Sequence, residues 1–222
     1  MIEPLEARIA PASVLTFTDV DGDKITVKSS AGNIAAPGIA VLVDTSFGQQ
    51  LAQLNLTDFS FQGTSISTSV QKGPNGDGLV NIGFINAAGR DLGTVDIKGD
   101  LAQLTAGDGT TATGFGVKAL KVRSLGHHGT ATGGAAGLSG SIEVQITGAL
   151  GSLNVLGDID QTFVFVTGVG RSFDPHARIG SVKVGGSIFG GATDSSGNIE
   201  ATGGLGSVSV AHDIRGGKGS ES

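Results

Sequence analysis

The sequence predicts an all-β fold: a parallel β-helix (β-solenoid) of about five coils with an N-terminal antiparallel β cap region. The first observation behind this is a phrase that the chain restates. Residues 92–101 read LGTVDIKGDL, 150–159 LGSLNVLGDI, 179–188 IGSVKVGGSI and 205–214 LGSVSVAHDI, with a degenerate copy, ALKVRSL, at 119–125. The anchor positions Val95, Leu120, Leu153, Val182 and Val208 recur at intervals of 25 to 33 residues, a period that belongs to stacked repeats. The second is alternation within each copy. Val182 and Val184 flank Lys183, as Leu153 and Val155 flank Asn154, and a two-residue period is that of a strand with one buried face. The third is composition: Gly, Ser, Thr and Val dominate the repeats, and these residues disfavour helix.

Taken in order, residues 1–12 (MIEPLEARIAPA) form a sorting-like N-terminal segment, and 13–90 a β-rich cap with a first irregular coil. Within the cap, VLTFTDVDGDKITVK consists of two alternating runs joined at Asp19–Gly22, a hairpin signal. ISTSVQKGPNGDGLVNIGFINAAG reads as a second hairpin around residues 73–78, and Leu51–Leu56 (LAQLNL) mimics the repeat phrase, opening an inserted first coil. Residues 91–222 are the coils proper. Stacked in parallel about 4.8 Å apart, they align three apolar ladders. Val95, Leu120, Leu153, Val182 and Val208 make the first, and Ile97, Val122, Val155, Val184 and Val210 the second. Leu101, Leu125, Ile159, Ile188 and Ile214 make the third, beyond a bend at which Gly99, Gly157 and Gly186 supply backbone freedom and room. The closing GGKGSES stops partway through a coil, which predicts coils continuing beyond Ser222.

Composition excludes several functional classes. Without cysteine there is no disulfide framework, thiolate zinc site or cysteine nucleophile. The net charge is −6, and the 14 Lys and Arg are scattered singly along the sequence, so no nucleic-acid partner is expected. No apolar run reaches the ~20 residues of a membrane span, and no secretory signal is visible at the N-terminus.

The opening EPLEARIAPA, followed by TFTDVDGDKITVK, GRDLGTVDIKGD and IGSVKVGGSI, resembles glycine-rich β-helix repeat surface proteins of planctomycete and verrucomicrobia type. Their N-terminal motif is known as LEPR-XLL. Leu5, Glu6 and Arg8 match it, whereas Ala7 stands where the family has proline and Ile9-Ala10 where it has a leucine pair. The resemblance implies export to the cell surface and brings no catalytic residues with it.

Four stretches carry residue types that catalysis or ligand binding could use. Gly126-His127-His128-Gly129 is similar to the Gly-His-Gly stretch of polygalacturonase-like hydrolases, but their Asn-x-Asp, Asp-Asp and Arg-x-Lys elements have no counterpart here. Adjacent histidines on a strand would face opposite ways and could not share a metal; His176 and His212 complete the inventory. Asp158 and Asp160, with Asp100 and Asp213 at positions equivalent to Asp158, could supply a carboxylate row for sugar chemistry. Their alternative role, binding turn backbone at the corners, is preferred. Phe163 and Phe165 are expected in the core or over a seam. Asp19, Asp21 and Asp23 have calcium-like spacing without the distal Glu of a hand-type loop, and capping of the turn is again preferred to metal. No glycine cluster opens a helix, so a phosphate cradle is not expected.

The expected function is a non-enzymatic structural or adhesive β-solenoid module of a large exported bacterial surface protein, needing no cofactor. The alternatives are a carbohydrate-active β-helix, of polysaccharide lyase or hydrolase type, and a calcium-stiffened adhesin. The expected partners are further copies, end to end, or extracellular polymers.

Overall fold

The computed structural model describes residues 12–109, 114–132 and 142–219. The motif residues Leu5, Glu6 and Arg8 and the terminal Ser222 lie outside them. Seventeen strands form one large, mixed, largely parallel sheet; short 3-10 turns are the only helical elements among the described residues. In chain order the strands are β1 (Ser13–Thr18), β2 (Lys24–Ser29), β3 (Ala40–Asp44), β4 (Gln49–Asn55), β5 (Thr64–Gln71), β6 (Ile82–Ala88), β7 (Leu92–Gly107) and β8 (Phe115–Leu125). There follow β9 (Ile142–Thr147), β10 (Ala149–Val155), β11 (Ile159–Asp160), β12 (Thr162–Thr167) and β13 (Ile179–Val184). The last are β14 (Ile188–Phe189), β15 (Ile199–Ala201), β16 (Leu205–Val210) and β17 (Ile214–Arg215).

The strands pair in three series. The first runs β1–β2–β5–β7–β8–β10–β13–β16, antiparallel as far as β5 and parallel thereafter. Val95, Leu120, Leu153, Val182 and Val208 stand opposite one another along it, and so do Ile97, Val122, Val155, Val184 and Val210. The second series joins the ends of β7 and β8 to β11, β14 and β17 and aligns Leu101, Leu125, Ile159, Ile188 and Ile214. All three expected ladders are therefore in register. The third series, β4–β6–β7–β9–β12–β15, is parallel and lines up Leu54, Ile85, Leu104, Val144, Val164 and Ile199. Leu51–Leu56 thus joins the parallel pairing, with β3 added antiparallel at its edge.

These ladders are the core. Val95, Leu120, Val122, Leu153 and Val155 are essentially inaccessible to solvent, as are Leu54, Ile85 and Leu104. Burying a branched aliphatic side chain is worth about 1.5–3 kcal/mol, and the rungs from β7 to β14 gain it by stacking on their neighbours, whereas Val208 and Ile214 on the last coil stay exposed.

Two expectations need correction. The second hairpin does not form: β5 pairs with β2 and β7, β6 pairs with β4 and β7, and the loop between them folds back on the first hairpin. Nor do the corner glycines supply unusual backbone conformation, since Gly99, Gly157 and Gly186 all keep negative φ. Gly99 is required for proximity alone: a Cβ there would overlap the Val80 backbone.

Candidate functional site

The densest set of polar side chains gathers where the β1–β2 turn, the loop 72–80 and the turn after β8 meet. The first turn is closed by Asp19 N–H donating to the Asp23 carbonyl at 2.9 Å, with Gly22 at φ 95°. Asp19 Oδ1 accepts the amides of Asp21 (3.3 Å) and Asp23 (2.8 Å). Asp23 is fully buried, and its two oxygens accept the amides of Gly73 and Gly78, both at 2.6 Å. A buried carboxylate is tolerated only when it is paired in this way. Gly76 lies against the same carboxylate, where a Cβ would collide with it. The glycine-rich stretch is thus a collar around Asp23.

Asp19, Asp21 and Asp23 offer oxygens that all lie within 4.8 Å of one another. Asp21 Oδ2 accepts the Asp77 amide at 2.8 Å, while Asp21 Oδ1 is buried with no donor in reach. Burial, and then the neighbouring Asp21 carboxylate, push the Asp19 carboxyl up to about 7. The same contact holds Asp21 below the usual carboxylate range. The two carboxyls are therefore close enough to oppose each other's charge, and a cation between them would neutralise both.

Cavities extend from this cluster. One of about 210 Å³ is lined by Asp19, Asp21, Asp77, Asn81 and His128. A second, of about 250 Å³, shares Asp77, Asn81 and His128 with it and adds Asp100, Arg123, His127 and Asp158. A third, of about 270 Å³, continues past Arg123 to Lys98, Lys121 and Leu156. His127 and His128 sit in a turn, not on a strand, so they do not face opposite ways as expected. Their rings meet edge to face with centroids 5.0 Å apart. His127 Nδ1 is 3.8 Å from Asp160 Oδ2, beyond hydrogen-bonding distance.

Of the aspartates considered for sugar chemistry, Asp100 and Asp158 hold turns, whereas the carboxylates of Asp160 and Asp213 meet, among the described residues, only the side chains of Gln161, His127 and Arg215. Asp100, almost wholly buried, accepts Ser124 Oγ (2.7 Å) and the amides of His127 (3.0 Å) and His128 (3.1 Å). Asp158 Oδ1 accepts the Ser187 amide at 2.6 Å, and Asp213 Oδ2 accepts Arg215 Nη2 at 2.6 Å. His176 and His212 line none of these three cavities. Phe163 and Phe165 stack on each other, 5.2 Å between centroids, on the face opposite the buried Val164 and Val166. Arg171 lies over Phe165 and pairs with Glu143 at 2.9 Å; Phe165 is buried beneath it and Phe163 half-buried beside it.

Sequence reasoning overlooked Asp77, Asn81 and Arg123 as cavity residues. Their convergence depends on the loop 72–80 wrapping Asp23, a contact across 50 residues that no local pattern announces. Among the described residues, no helix is long and apolar enough to cross a membrane. No protein family, curated protein or solved structure matches the chain.

Proposed function

We propose that the chain is a parallel β-helix acting as a non-enzymatic structural or adhesive module of a large exported bacterial surface protein. The observation that supports this reading best is the pairing of like rungs in the three apolar ladders from β7 to β17, kept across a bulge after Ile97 in β7. Most of the chain is committed to repeating one cross-section, and the carboxylates Asp100 and Asp158 are committed to holding its turns. Small-angle scattering from the purified protein tests the shaft: an elongated profile is expected, and a compact spherical one refutes it. Assays on polygalacturonate and alginate test the rival polysaccharide lyase or hydrolase. No turnover is expected, and cleavage that disappears in Asp158→Asn establishes the rival instead.

A calcium-stiffened variant of the same module draws support from Asp21 Oδ1, which is buried without a donor beside Asp19. Asp19, Asp21 and Asp23 would hold the ion, whose role would be to neutralise the Asp19 and Asp21 carboxyls and fix the β1–β2 turn. Calorimetric titration with calcium tests this, with Asp21→Asn as the variant that loses the binding.

A further inference from the structure

On an acidic protein, one face of the sheet is basic. The outward positions of the first series lie opposite one another across the strands: Lys28, Ser67, Asp96, Lys121, Asn154, Lys183 and Ser209 make a single row. On the same face, two residues along β7 and β8 from the row, stand Lys98 and Arg123, and four residues along β2 from Lys28 stands Lys24, reached by the two-residue alternation through Thr26. The cations of this face, Lys24, Lys28, Lys98, Lys121, Arg123 and Lys183, are all exposed. The only acid in the row is Asp96, which pairs with Lys121 at 3.1 Å. No other member of the set makes an ion pair among the described residues. The chain as a whole carries 20 acids against 14 bases, so this face is opposite in sign to the chain's net charge. Residues scattered in sequence are concentrated because the coil period returns them to the same side.

We infer that this face binds an extended anionic polysaccharide lying across the strands. Charge complementarity selects an anion, and the layout selects a polymer. With strands about 4.8 Å apart, Lys121 and Lys183 are roughly 10 Å apart and Lys28 lies roughly 14 Å on the other side of Lys121. A small anion cannot touch all three. Between the cations the face presents Ser67, Thr94, Ser152, Asn154 and Ser181, short hydroxyl and amide groups suited to sugar hydroxyls. The row and the cations beside it include no aromatic side chain on which a nucleic-acid base could stack. The exposed apolar groups near it, Val14 on β1, Phe115 at the start of β8 and Leu156 just after the end of β10, stand apart and form no membrane-inserting patch. The inference deepens the adhesive reading above and rests on it for the role of the face.

The test is binding of the described chain to polygalacturonate and to heparin by calorimetry, at low and at moderate salt, with neutral dextran and duplex DNA for comparison. The expected result is salt-sensitive binding to both acidic polysaccharides and none to dextran. Binding should be weakened about tenfold or more in Lys28→Gln/Arg123→Gln/Lys183→Gln. The charge-matched Arg90→Gln/Arg178→Gln/Arg215→Gln should stay within about twofold of the unaltered chain. An unchanged urea midpoint for both triple variants separates binding from folding. Absence of binding at low salt, or equal losses in the two triple variants, overturns the inference. Tighter binding to DNA with the same variant sensitivity assigns the face to nucleic acid and overturns it too. Each of these outcomes is readable whether or not scattering supports the elongated shaft.

Discussion

The strands β7 to β17 and the strands β1 to β5 belong to one sheet but are held in place differently. In the first group, like residue stacks on like: Ile97, Val122, Val155, Val184 and Val210 repeat the same contact. Register is fixed because a one-residue slip would turn every rung outward. In the second group the pairing is antiparallel, and unique polar contacts fix it: Asp23 to Gly73 and Gly78, Asp21 to Asp77, and Thr64 to Ala31. Repetition spreads stability over many equivalent contacts, whereas the antiparallel end adds to its buried Ile25, Val27 and Ile34 a few carboxylate contacts that have no equivalent elsewhere. The two regions should accordingly fail in different ways.

The largest effect is expected in the ladders. Val184→Asp places a carboxylate among buried rungs and should cost about 4 kcal/mol or more, read as a large fall in urea midpoint. A small effect would mean that register is not what holds this region. Next, Asp23→Ala leaves the partly buried Gly73 and Gly78 amides without an acceptor and should cost about 2 kcal/mol. It should release exchange protection at those two amides before that of β13, and simultaneous loss in both places would erase the distinction between the regions.

A smaller effect follows from Asp19. Its carboxyl loses its proton near 3.8 when unfolded and near 7 when folded. Between these values the folded state holds the extra proton, so this group's contribution to stability is present below pH 4, declines as pH rises to 7 and is flat above. Asp21, held low, acts in the opposite sense, losing its contribution as pH falls toward and below the ordinary carboxylate range. Asp19→Asn should remove the decline between pH 4 and 7. If the calcium reading holds, calcium should raise the melting temperature more at pH 8 than at pH 5, and not at all in that variant. The smallest effect is expected for Lys183→Asp, next to Val184 but outward, at no more than about 0.5 kcal/mol. An equal effect at 183 and 184 would invalidate the assigned faces.

The same contrast governs what could be read from the sequence. The ladders were legible because each rung is announced by a local two-residue alternation and restated 25 to 33 residues later. The segment 66–89 reads as a hairpin because its glycine- and asparagine-rich centre carries turn signals. Those glycines are there for the Asp23 carboxylate instead, which lies 50 residues away from Gly73 in sequence. His127 and His128 were placed on a strand, whereas Asp100 captures both of their amides and ends β8 at Leu125. The basic face was invisible for the opposite reason: its members look solitary until the period that orders the ladders is applied to the residues between the rungs.

β7 has a consequence for how the chain reaches its native state. It is sixteen residues long, and it pairs with β5, β6, β8 and β9, bridging the antiparallel end, the first series and the third. In a quasi-one-dimensional array, ordering can begin at any unit and spread to its neighbours. A strand that offers docking edges to two series at once gains more from early formation than any other. Ordering should therefore start around β7 and travel outward in both directions, so that Val95→Ala slows refolding while Val182→Ala chiefly hastens unfolding. Stopped-flow rates for these two variants, with similar slowing of refolding in both as the contrary outcome, would locate where the molecule begins to assemble.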